Sequence, residues 1–275
     1  MGYGDEILAA GQAQRLYDAD GSRVLIVDIA RKPRWHPIWE GNPVIVRPSE
    51  LESLGGNYRV LQNAGHCRPY ILYPFTVDTG WRFNKAFRAR DNIAKIYLTD
   101  VELQLGYDLQ AQYGPYFVVE PFTKHDNLRW PIEHWRILTR ALRREFPEIT
   151  LIQHVHPDTP EILPAVRPAQ ATFRDACGIV NRAALYIRSE SGMCHAAAAL
   201  GVYQVTIWGG CMDWNVLGGY PKQLGILDES LGSPCGCWRA CNHCHQILQS
   251  ITPEAVVEAV RQQLEVQTLE GMVVN

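Results

Sequence analysis

The chain lacks an excess of basic residues and lacks internal repeats. Its 275 residues include 26 Lys plus Arg and 29 Asp plus Glu, which gives a net charge of −3. Proteins that coat nucleic acids are usually basic, so this balance disfavours that class. No low-complexity tract is present, and 47% of the residues are hydrophobic. This composition excludes an intrinsically disordered chain and indicates a folded globular protein.

Long apolar runs are also absent. The most apolar stretch, residues 196–208, is interrupted by Gln204 and Thr206. It is shorter than the roughly 20 residues that a membrane-spanning helix needs. The N-terminus carries Asp5 and Glu6 where a secretory signal would be positively charged. The sequence therefore predicts a cytoplasmic protein without a membrane span.

Short apolar strands alternate with helical stretches, most clearly after residue 113. We predict strands at residues 23–29, 58–61, 94–98, 116–120, 149–155, 184–188 and 203–208. We predict helices at residues 5–18, 131–146, 173–183, 191–200 and 253–266. This alternation is typical of an α/β protein with a doubly wound parallel sheet. A boundary near residues 106–114 would give two α/β domains, 1–112 and 113–275, with the ligand in the cleft between them.

One predicted strand-to-helix connection has the features of an anion site. The strand at 184–188 runs into Glu190-Ser191-Gly192, where a helix of small residues begins. Free backbone N–H groups and the positive end of the helix dipole favour an anion such as a diphosphate at this place. Gly192 lets a ligand approach the backbone closely, and His195 lies in the first helical turn. The alternative is an ordinary turn in which Ser191 only caps the helix.

A second connection follows the strand that ends at Glu120. It carries Lys124 and Arg129, and either side chain could neutralise a phosphate. The alternative is that both are solvated loop charges. Taken alone, the segment favours this alternative.

The N-terminus offers a candidate general base. Gly4 precedes Asp5 at the start of the first predicted helix, and a carboxylate there could accept a proton from a bound substrate. Stabilisation of the helix dipole by Asp5 is the alternative. Further along, Trp35 and Trp39 alternate with basic residues and could stack a sugar or an unpaired base. Core packing is the favoured alternative for these two tryptophans.

Four of the eight cysteines fall within ten residues near the C-terminus: Cys235, Cys237, Cys241 and Cys244. In a reducing compartment such a cluster indicates metal ligands before disulfides. The spacing Cys241-x-x-Cys244 is half of a zinc-knuckle pattern. His243, His245 or Cys211 could complete the set. We predict a structural zinc. An Fe–S cluster is a less favoured alternative, since the spacing matches neither ferredoxin pattern, and free cysteines packed in a loop are the other alternative.

Together these segments resemble glycosyltransferase family 9, the group of the ADP-heptose:lipopolysaccharide heptosyltransferases. The resemblance is carried by Gly4-Asp5-Glu6-Ile7, by Leu128-Arg129-Trp130-Pro131 with His134-Trp135, by Glu190-Ser191-Gly192-Met193-Cys194-His195, and by Pro234-Cys235, Cys241, Cys244 and Ile251-Thr252-Pro253-Glu254. It is good from about residue 115 to 265 and thin before that.

The resemblance implies a GT-B-like fold of two Rossmann-like domains and a nucleotide-diphosphate sugar as donor. It implies that Asp5 is the general base and that Arg129 lies at or near the family's phosphate-binding lysine. The donor side would consist of Glu120, Lys124, Arg129, Glu190, Ser191, Gly192 and His195, and the acceptor side of Gly4, Trp35 and Trp39. Positive charge and a helix dipole can stabilise the leaving diphosphate, so we expect no catalytic divalent metal.

The sequence departs from the family pattern in two places. Glu190 stands where the family has Asp, and no strand precedes Gly4-Asp5. The N-terminal domain is therefore expected to be reduced, and the acceptor is left open among a glycan, a small molecule and a modified nucleic acid. Two other functions stay open: a non-catalytic nucleotide- or sugar-binding module, and a nucleic-acid-modifying or nucleic-acid-binding protein, phage-encoded for example, that uses the cysteine cluster.

Overall fold

The computed structural model describes residues 2–62, 68–72, 80–154, 161–162, 165–168, 172–237 and 239–273. Residues 271–273 are described by their backbone only. The helices are α1 (Tyr3–Asp20), α2 (Leu51–Leu54), α3 (Asp100–Tyr113), α4 (Ile132–Glu145), α5 (Phe173–Asn181), α6 (Gly192–Ala199), α7 (Trp214–Leu217), α8 (Asn242–Ser250) and α9 (Pro253–Val273). The strands are β1 (Val24–Val27), β2 (Arg59–Gln62), β3 (Tyr116–Glu120), β4 (Thr150–Gln153), β5 (Leu185–Ser189), β6 (Gln204–Trp208) and β7 (Gln223–Leu227).

The C-terminal half, residues 113–275, is built on a five-stranded sheet with the order β4-β3-β5-β6-β7. Every pairing in it is parallel. Tyr116 and Val118 of β3 face a core shared with α5 and α6, whereas Phe117 and Val119 face a core shared with α4 and α9. Helices cover both faces, so all five residues of β5 and of β6 are buried. The predicted α/β fold with a doubly wound parallel sheet is confirmed.

The N-terminal half, residues 1–112, has much less regular structure. Its described residues form one two-stranded parallel sheet, β1 with β2, and Ile45 adds an isolated parallel bridge to Val24. Helix α1 packs along α6 of the other half, and α3 packs along α5. A single apolar cluster runs from Ile26 through α1 to Tyr186. The two halves therefore share one core.

Glycine makes the close helix packing between the halves feasible. Where α3 crosses α5, a Cβ on Gly178 would lie 1.9 Å from the carbonyl oxygen of Glu102. Only a residue without a side chain allows that approach. Helix α3 begins with a capping box, in which Thr99 accepts from the Glu102 backbone N–H and the Glu102 carboxylate accepts from the Thr99 N–H.

Some predicted elements differ from the observed ones. Residues 94–98 form no strand, because their backbone carbonyls bond to side chains: Asn42 donates to Lys95 and Arg174 donates to Tyr97. Helices α3 and α8 and strand β7 were not predicted. The predicted boundary at residues 106–114 lies within and just after α3, and the division into domains stays a prediction. Of the strand predicted at 149–155, Val155 lies outside the described residues.

No helix in the described part of the chain has the length and apolarity to cross a membrane.

Candidate functional site

A cavity of about 700 Å³ opens at the carboxyl ends of β3, β4 and β5. Parallel α/β sheets bind ligands at this edge, beside the point where the strand order reverses. Between β3 and β5 the order reverses here. Both halves of the chain contribute to the lining of the cavity, which includes Gly2, Tyr3, Gly4, Asp5, Arg68, Tyr70, Trp81, Glu120, Phe122, Lys124, His125, His154, Phe173, Arg188, Glu190, Ser191, Gly192 and His195.

Two helix N-termini meet in this cavity. Helix α1 starts at Tyr3 and α6 starts at Gly192, with Ser191 capping α6 by accepting from the Met193 backbone N–H at 3.2 Å. A Cβ on Gly4 would lie 2.8 Å from the Cα of Gly192. The free N–H groups and the positive dipole ends of both helices thus border the same space, which favours an anion. The predicted Ser191 and Gly192 lie at its centre.

A buried charge network lies beneath the sheet end. The Glu120 carboxylate accepts from Arg188 Nη1 at 3.1 Å, lies 3.1 Å from His154 Nδ1, and accepts from the Tyr186 hydroxyl. Burial alone would raise the pKa of Glu120, but Arg188 and His154 outweigh it and lower this pKa to about 2. Glu120 is therefore an ionised group locked in place by its neighbours.

Glu190 lies in the opposite environment. It is 5% exposed, and within the described structure its Oε2 atom has no hydrogen-bond partner. Burial raises the pKa of Glu190 to about 7; Asp5 adds to the rise, while Arg188 opposes it. A carboxyl group that is partly protonated near pH 7 therefore lines the cavity beside the α6 N-terminus.

His195 is held as a neutral ring. Its Nδ1 atom lies 2.6 Å from the Tyr220 hydroxyl, and burial with the nearby Arg188 lowers the pKa of His195 to about 4. Burial raises the pKa of Tyr220 well above its usual value, so the hydroxyl keeps its proton. In the tautomer in which this hydroxyl donates to Nδ1, the ring proton is on Nε2 and makes that atom a donor.

Asp5 lies in the first turn of α1 and lines the cavity as predicted. Its Oδ1 accepts from the Tyr70 hydroxyl at 2.7 Å, and Arg68 Nε lies 3.5 Å from Oδ2. Burial raises the pKa of Asp5, and Tyr70 and Arg68 partly offset that rise. The group is a carboxylate in a mostly enclosed pocket, the setting in which a general base is tuned toward neutral pH.

Of the two predicted phosphate-binding cations, Lys124 borders the cavity and Arg129 does not. Arg129 turns back on its own loop, donating from Nε to the Thr123 carbonyl at 2.7 Å and pairing with Asp126 at 2.7 Å. Its guanidinium also lies 5.2 Å from the Phe122 ring centroid. Arg129 therefore shapes the loop that presents Lys124.

Trp35 and Trp39 lie outside the cavity lining. Trp39 is fully buried, and its indole N–H donates to the Glu6 carbonyl at 2.8 Å. Trp35 lies under Arg47, with the guanidinium 4.4 Å from its ring. Both are packing residues of the N-terminal half, which was the favoured alternative for them.

The aromatic side chains that do line the cavity were missed by sequence reasoning. Tyr70 and Trp81 come from an irregular part of the N-terminal half, where periodicity gives no signal. Tyr3 and Phe173 stack in parallel with ring centroids 4.0 Å apart. Tyr3 stands one residue before Gly4, so its place in the motif was the only available signal.

The C-terminal cysteine cluster brings four ligand atoms within 4.8 Å of one another, from Cys235, Cys241, His243 and Cys244. The Cys235 and Cys244 sulfurs lie 3.3 Å apart, and the Cys235 and Cys241 sulfurs 4.0 Å apart. Three thiols and an imidazole are a donor set for a tetrahedral metal, so these residues fit one. Cys237 and His245, predicted as candidates, are not in this group.

Cys211 is close to the same cluster. Hydrogen bonds from Cys211 and Cys244 hold the pKa of Cys235 well below its usual value. Cys211 also donates to the Cys237 carbonyl at 3.2 Å. The described residues thus offer two candidates for the fourth ligand, His243 and Cys211.

The cysteine loop is tied to both walls of the cavity. Asn127, which is 4% exposed, donates to the carbonyls of Cys237 at 2.8 Å and Arg239 at 2.7 Å, and accepts from the Cys241 N–H at 2.9 Å. On the other side, the backbone N–H of Trp81 donates to the Gly236 carbonyl at 2.8 Å. The loop therefore connects the segment beside Lys124 to the segment that carries Trp81.

Solved structures share this fold over nearly the whole chain. A family 9 glycosyltransferase of Veillonella parvula is 14% identical with a TM-score of 0.66, covering 96% of this chain and 94% of that one. The iron-containing dodecameric glycosyltransferase TibC of enterotoxigenic E. coli is 12% identical with a TM-score of 0.61, covering 97% and 75%. The E. coli heptosyltransferase WaaC, solved with ADP, is 14% identical with a TM-score of 0.54, covering 96% and 97%. At these identities the likeness establishes the fold.

One stretch of the sequence matches the model of a protein family. No curated protein matches the chain. Residues 95–228 match the model of glycosyltransferase family 9 (heptosyltransferase). This stretch contains the predicted segments from Lys124 to Trp135 and from Glu190 to His195. The resemblance to glycosyltransferase family 9 is therefore confirmed over residues 95–228, and the protein is an enzyme of the glycosyltransferase class.

Proposed function

We propose that the protein transfers a sugar from a nucleotide-diphosphate sugar to an acceptor hydroxyl, with Asp5 as the general base. The observation that carries the proposal is the shared cavity. Asp5 borders the same space as the N-terminus of α6 and Lys124. A base and a diphosphate site that face each other are what sugar transfer with an attacking hydroxyl requires.

The donor is held from the C-terminal half in this proposal. Backbone N–H groups at Ser191 and Gly192 hydrogen-bond the diphosphate, and the Lys124 ammonium neutralises part of its charge. His195 Nε2 adds a donor. As the diphosphate leaves, these groups stabilise its growing negative charge without reorganisation, so no divalent metal is needed for the step.

Glu120 and Glu190 have different roles. Glu120 is fully engaged by Arg188, His154 and Tyr186, so it supports the floor of the site. Glu190 lines the cavity, and its Oε2 atom has no hydrogen-bond partner within the described residues. We assign Glu190 to the hydroxyls of the ribose or the sugar.

ADP is the first nucleotide to test, because WaaC, which shares the fold, was solved with it. Thermal unfolding should be followed with ADP, GDP, UDP and CDP in turn. A ligand at about 100 times its Kd adds roughly 2.7 kcal/mol of stability. A shift with ADP alone supports an ADP-sugar donor. No shift with any nucleotide at millimolar concentration would overturn the donor site.

The role of Asp5 has its own test, which is release of ADP from an ADP-sugar with a panel of hydroxyl acceptors. Loss of a general base lowers a rate by about 10²- to 10⁴-fold. We expect Asp5→Asn to show this loss while keeping the thermal shift with ADP. Transfer at the wild-type rate would show that Asp5 is not the base, whatever the result for the nucleotide.

We propose in addition that Cys235, Cys241 and Cys244 hold a structural metal ion, zinc or iron, with His243 or Cys211 as fourth ligand. Thiolate-rich tetrahedral sites suit both metals, and TibC is described as containing iron. Such an ion would hold the loop that Asn127 and Trp81 contact. It has no part in the transfer step.

Metal analysis of the purified protein tests this second proposal. We expect about one equivalent of metal per chain, lost in Cys241→Ser and kept in the matched control Cys237→Ser. His243→Ala and Cys211→Ser identify the fourth ligand by which of them lowers the metal content. Wild-type protein that holds no metal after purification in the presence of zinc and iron would contradict the proposal.

A further inference from the structure

The Asp5 carboxyl group is held by a segment of the N-terminal half. The Tyr70 hydroxyl lies 2.7 Å from Asp5 Oδ1, and Tyr70 is 5% exposed. Oδ2 is the other oxygen, and it lies near Gly2 and Arg68, which both line the cavity. Oδ1 is therefore occupied by the tyrosine, whereas Oδ2 is 3.5 Å from Arg68 Nε and lies beside two residues that line the cavity.

The position of Tyr70 is itself fixed by packing. Its ring lies against Trp81 and Phe87, with centroids at 5.8 Å and 6.5 Å. The Tyr70 carbonyl accepts from the Asn84 N–H at 2.7 Å, and Ile71 forms an antiparallel bridge with Phe83. These contacts fix the conformation of the segment, which therefore holds the Tyr70 hydroxyl against Asp5.

The chemistry of a general base gives this contact a purpose. In the transfer step the acceptor oxygen bonds to the anomeric carbon as the bond to the diphosphate breaks, and the electron pair leaves with the diphosphate. The hydroxyl proton passes to Asp5. A hydrogen bond to Oδ1 favours the ionised carboxylate and directs Oδ2 toward the acceptor. Tyr70 stays protonated, because burial and Asp5 raise its pKa well above the usual value.

We propose that Tyr70 is a positioning residue for catalysis, which orients the Asp5 carboxylate through the hydrogen bond to Oδ1. The proposal rests on the proposed function, in which Asp5 is the base. Other charged groups act on Asp5 as well: Glu6 on its own helix, Arg68 from the Tyr70 segment and Glu190 from the connection before α6. Their charges remain when the tyrosine hydroxyl is removed, so a Tyr70→Phe variant isolates the hydrogen bond.

The matched control is Tyr116→Phe. Tyr116 is also fully buried, and its hydroxyl donates to the Ile179 carbonyl at 2.6 Å, outside the cavity. Both variants lose one buried tyrosine hydroxyl bond. Only Tyr70→Phe removes a bond to the proposed base.

The test is the pH dependence of kcat/KM for both variants. A hydrogen bond to a charged group corresponds to about a 10- to 100-fold change in rate. We expect Tyr70→Phe to lower kcat/KM by this factor and to move the acid limb to higher pH, because the carboxylate loses a stabilising donor. The thermal shift with ADP should be unchanged. Tyr116→Phe should leave the acid limb where it is.

Two results would overturn the positioning role: an unmoved acid limb in Tyr70→Phe, or an equal displacement in Tyr116→Phe. A direct titration of the Asp5 carboxyl carbon by NMR separates this proposal from the proposed function. If Asp5→Asn retains activity but the Asp5 pKa rises in Tyr70→Phe, the contact is real and the base is another residue. If Asp5→Asn is inactive and the Asp5 pKa does not change in Tyr70→Phe, the base stands and the tyrosine role fails.

Discussion

The two walls of the cavity are built in different ways. The C-terminal wall lies at the ends of neighbouring strands in one parallel sheet, where Glu120 and Arg188 share a register position in the β3–β5 pairing. The N-terminal wall consists of a helix start, Gly4 and Asp5, and an irregular segment that carries Arg68 and Tyr70. Topology therefore fixes the donor side, whereas local packing fixes the side of the proposed base. Changes in the first should cost stability, and changes in the second should cost activity.

The largest expected effect is on the C-terminal wall. Arg188 is 1% exposed, and Arg188→Met leaves the Glu120 carboxylate buried without its strongest partner. Removing one member of a buried ion pair lowers the free energy of unfolding by about 3–5 kcal/mol. Urea denaturation measures this loss. Arg261→Met is the control, because Arg261 pairs with Glu145 at the surface and such pairs contribute at most about 1 kcal/mol. Equal losses in the two variants would remove the contrast between the walls.

The next effect concerns the contact between the walls. In Gly4→Ala the new Cβ would lie 2.8 Å from Gly192 Cα, so the start of α1 must move away from α6. A displacement of this kind lowers kcat/KM by roughly 10- to 100-fold. Wild-type kcat/KM in Gly4→Ala would mean that the distance between Asp5 and the α6 N-terminus is not critical.

The smallest expected effect is in the pH dependence of the free energy of unfolding, where two carboxyl groups of the C-terminal wall should act in opposite directions. The pKa of Glu120 is lowered from 4.5 to about 2, so it contributes stability above pH 4.5 that is lost as the pH falls toward 2. The pKa of Glu190 is raised to about 7, so its burial costs stability progressively as the pH rises from 4.5 to 7. Unfolding free energies measured from pH 3 to 8 should show opposite changes. Relative to wild type, Glu120→Gln should lose more as the pH rises, and Glu190→Gln should gain. Parallel curves for the two variants would contradict these environments.

The sequence predicted the C-terminal wall well, and the reason is physical. Buried parallel strands are continuous apolar runs, and Ser191 and Gly192 follow directly after one of them. Their place at the sheet edge is set by chain direction alone. Lys124 borders the cavity for the same reason, and its role in binding phosphate stays a prediction. Arg129 turned back onto its own loop because that loop offers the Thr123 carbonyl and Asp126, which no spacing rule reveals.

The N-terminal wall was predicted in part. Asp5 and Gly4 were identified because the motif is local, at the start of one helix. Tyr70 reaches Asp5 across 65 positions of the chain through packing with Trp81, and such a contact leaves no periodic signal. The tryptophans chosen for the acceptor side, Trp35 and Trp39, illustrate the converse, because both pack beside arginines of the N-terminal half, Arg47 and Arg34, and neither lines the cavity.

The shared core of the two halves has a thermodynamic consequence. Proteins with separable domains often unfold in more than one step, and they lose conformational freedom when the domains close on a ligand. Here one apolar cluster joins Ile26 to Tyr186, and the α1 and α6 backbones touch at Gly4 and Gly192. We expect the two halves to melt together, with equal calorimetric and van't Hoff enthalpies. The binding space is then present before any ligand arrives, and little of the binding energy is spent on assembling it.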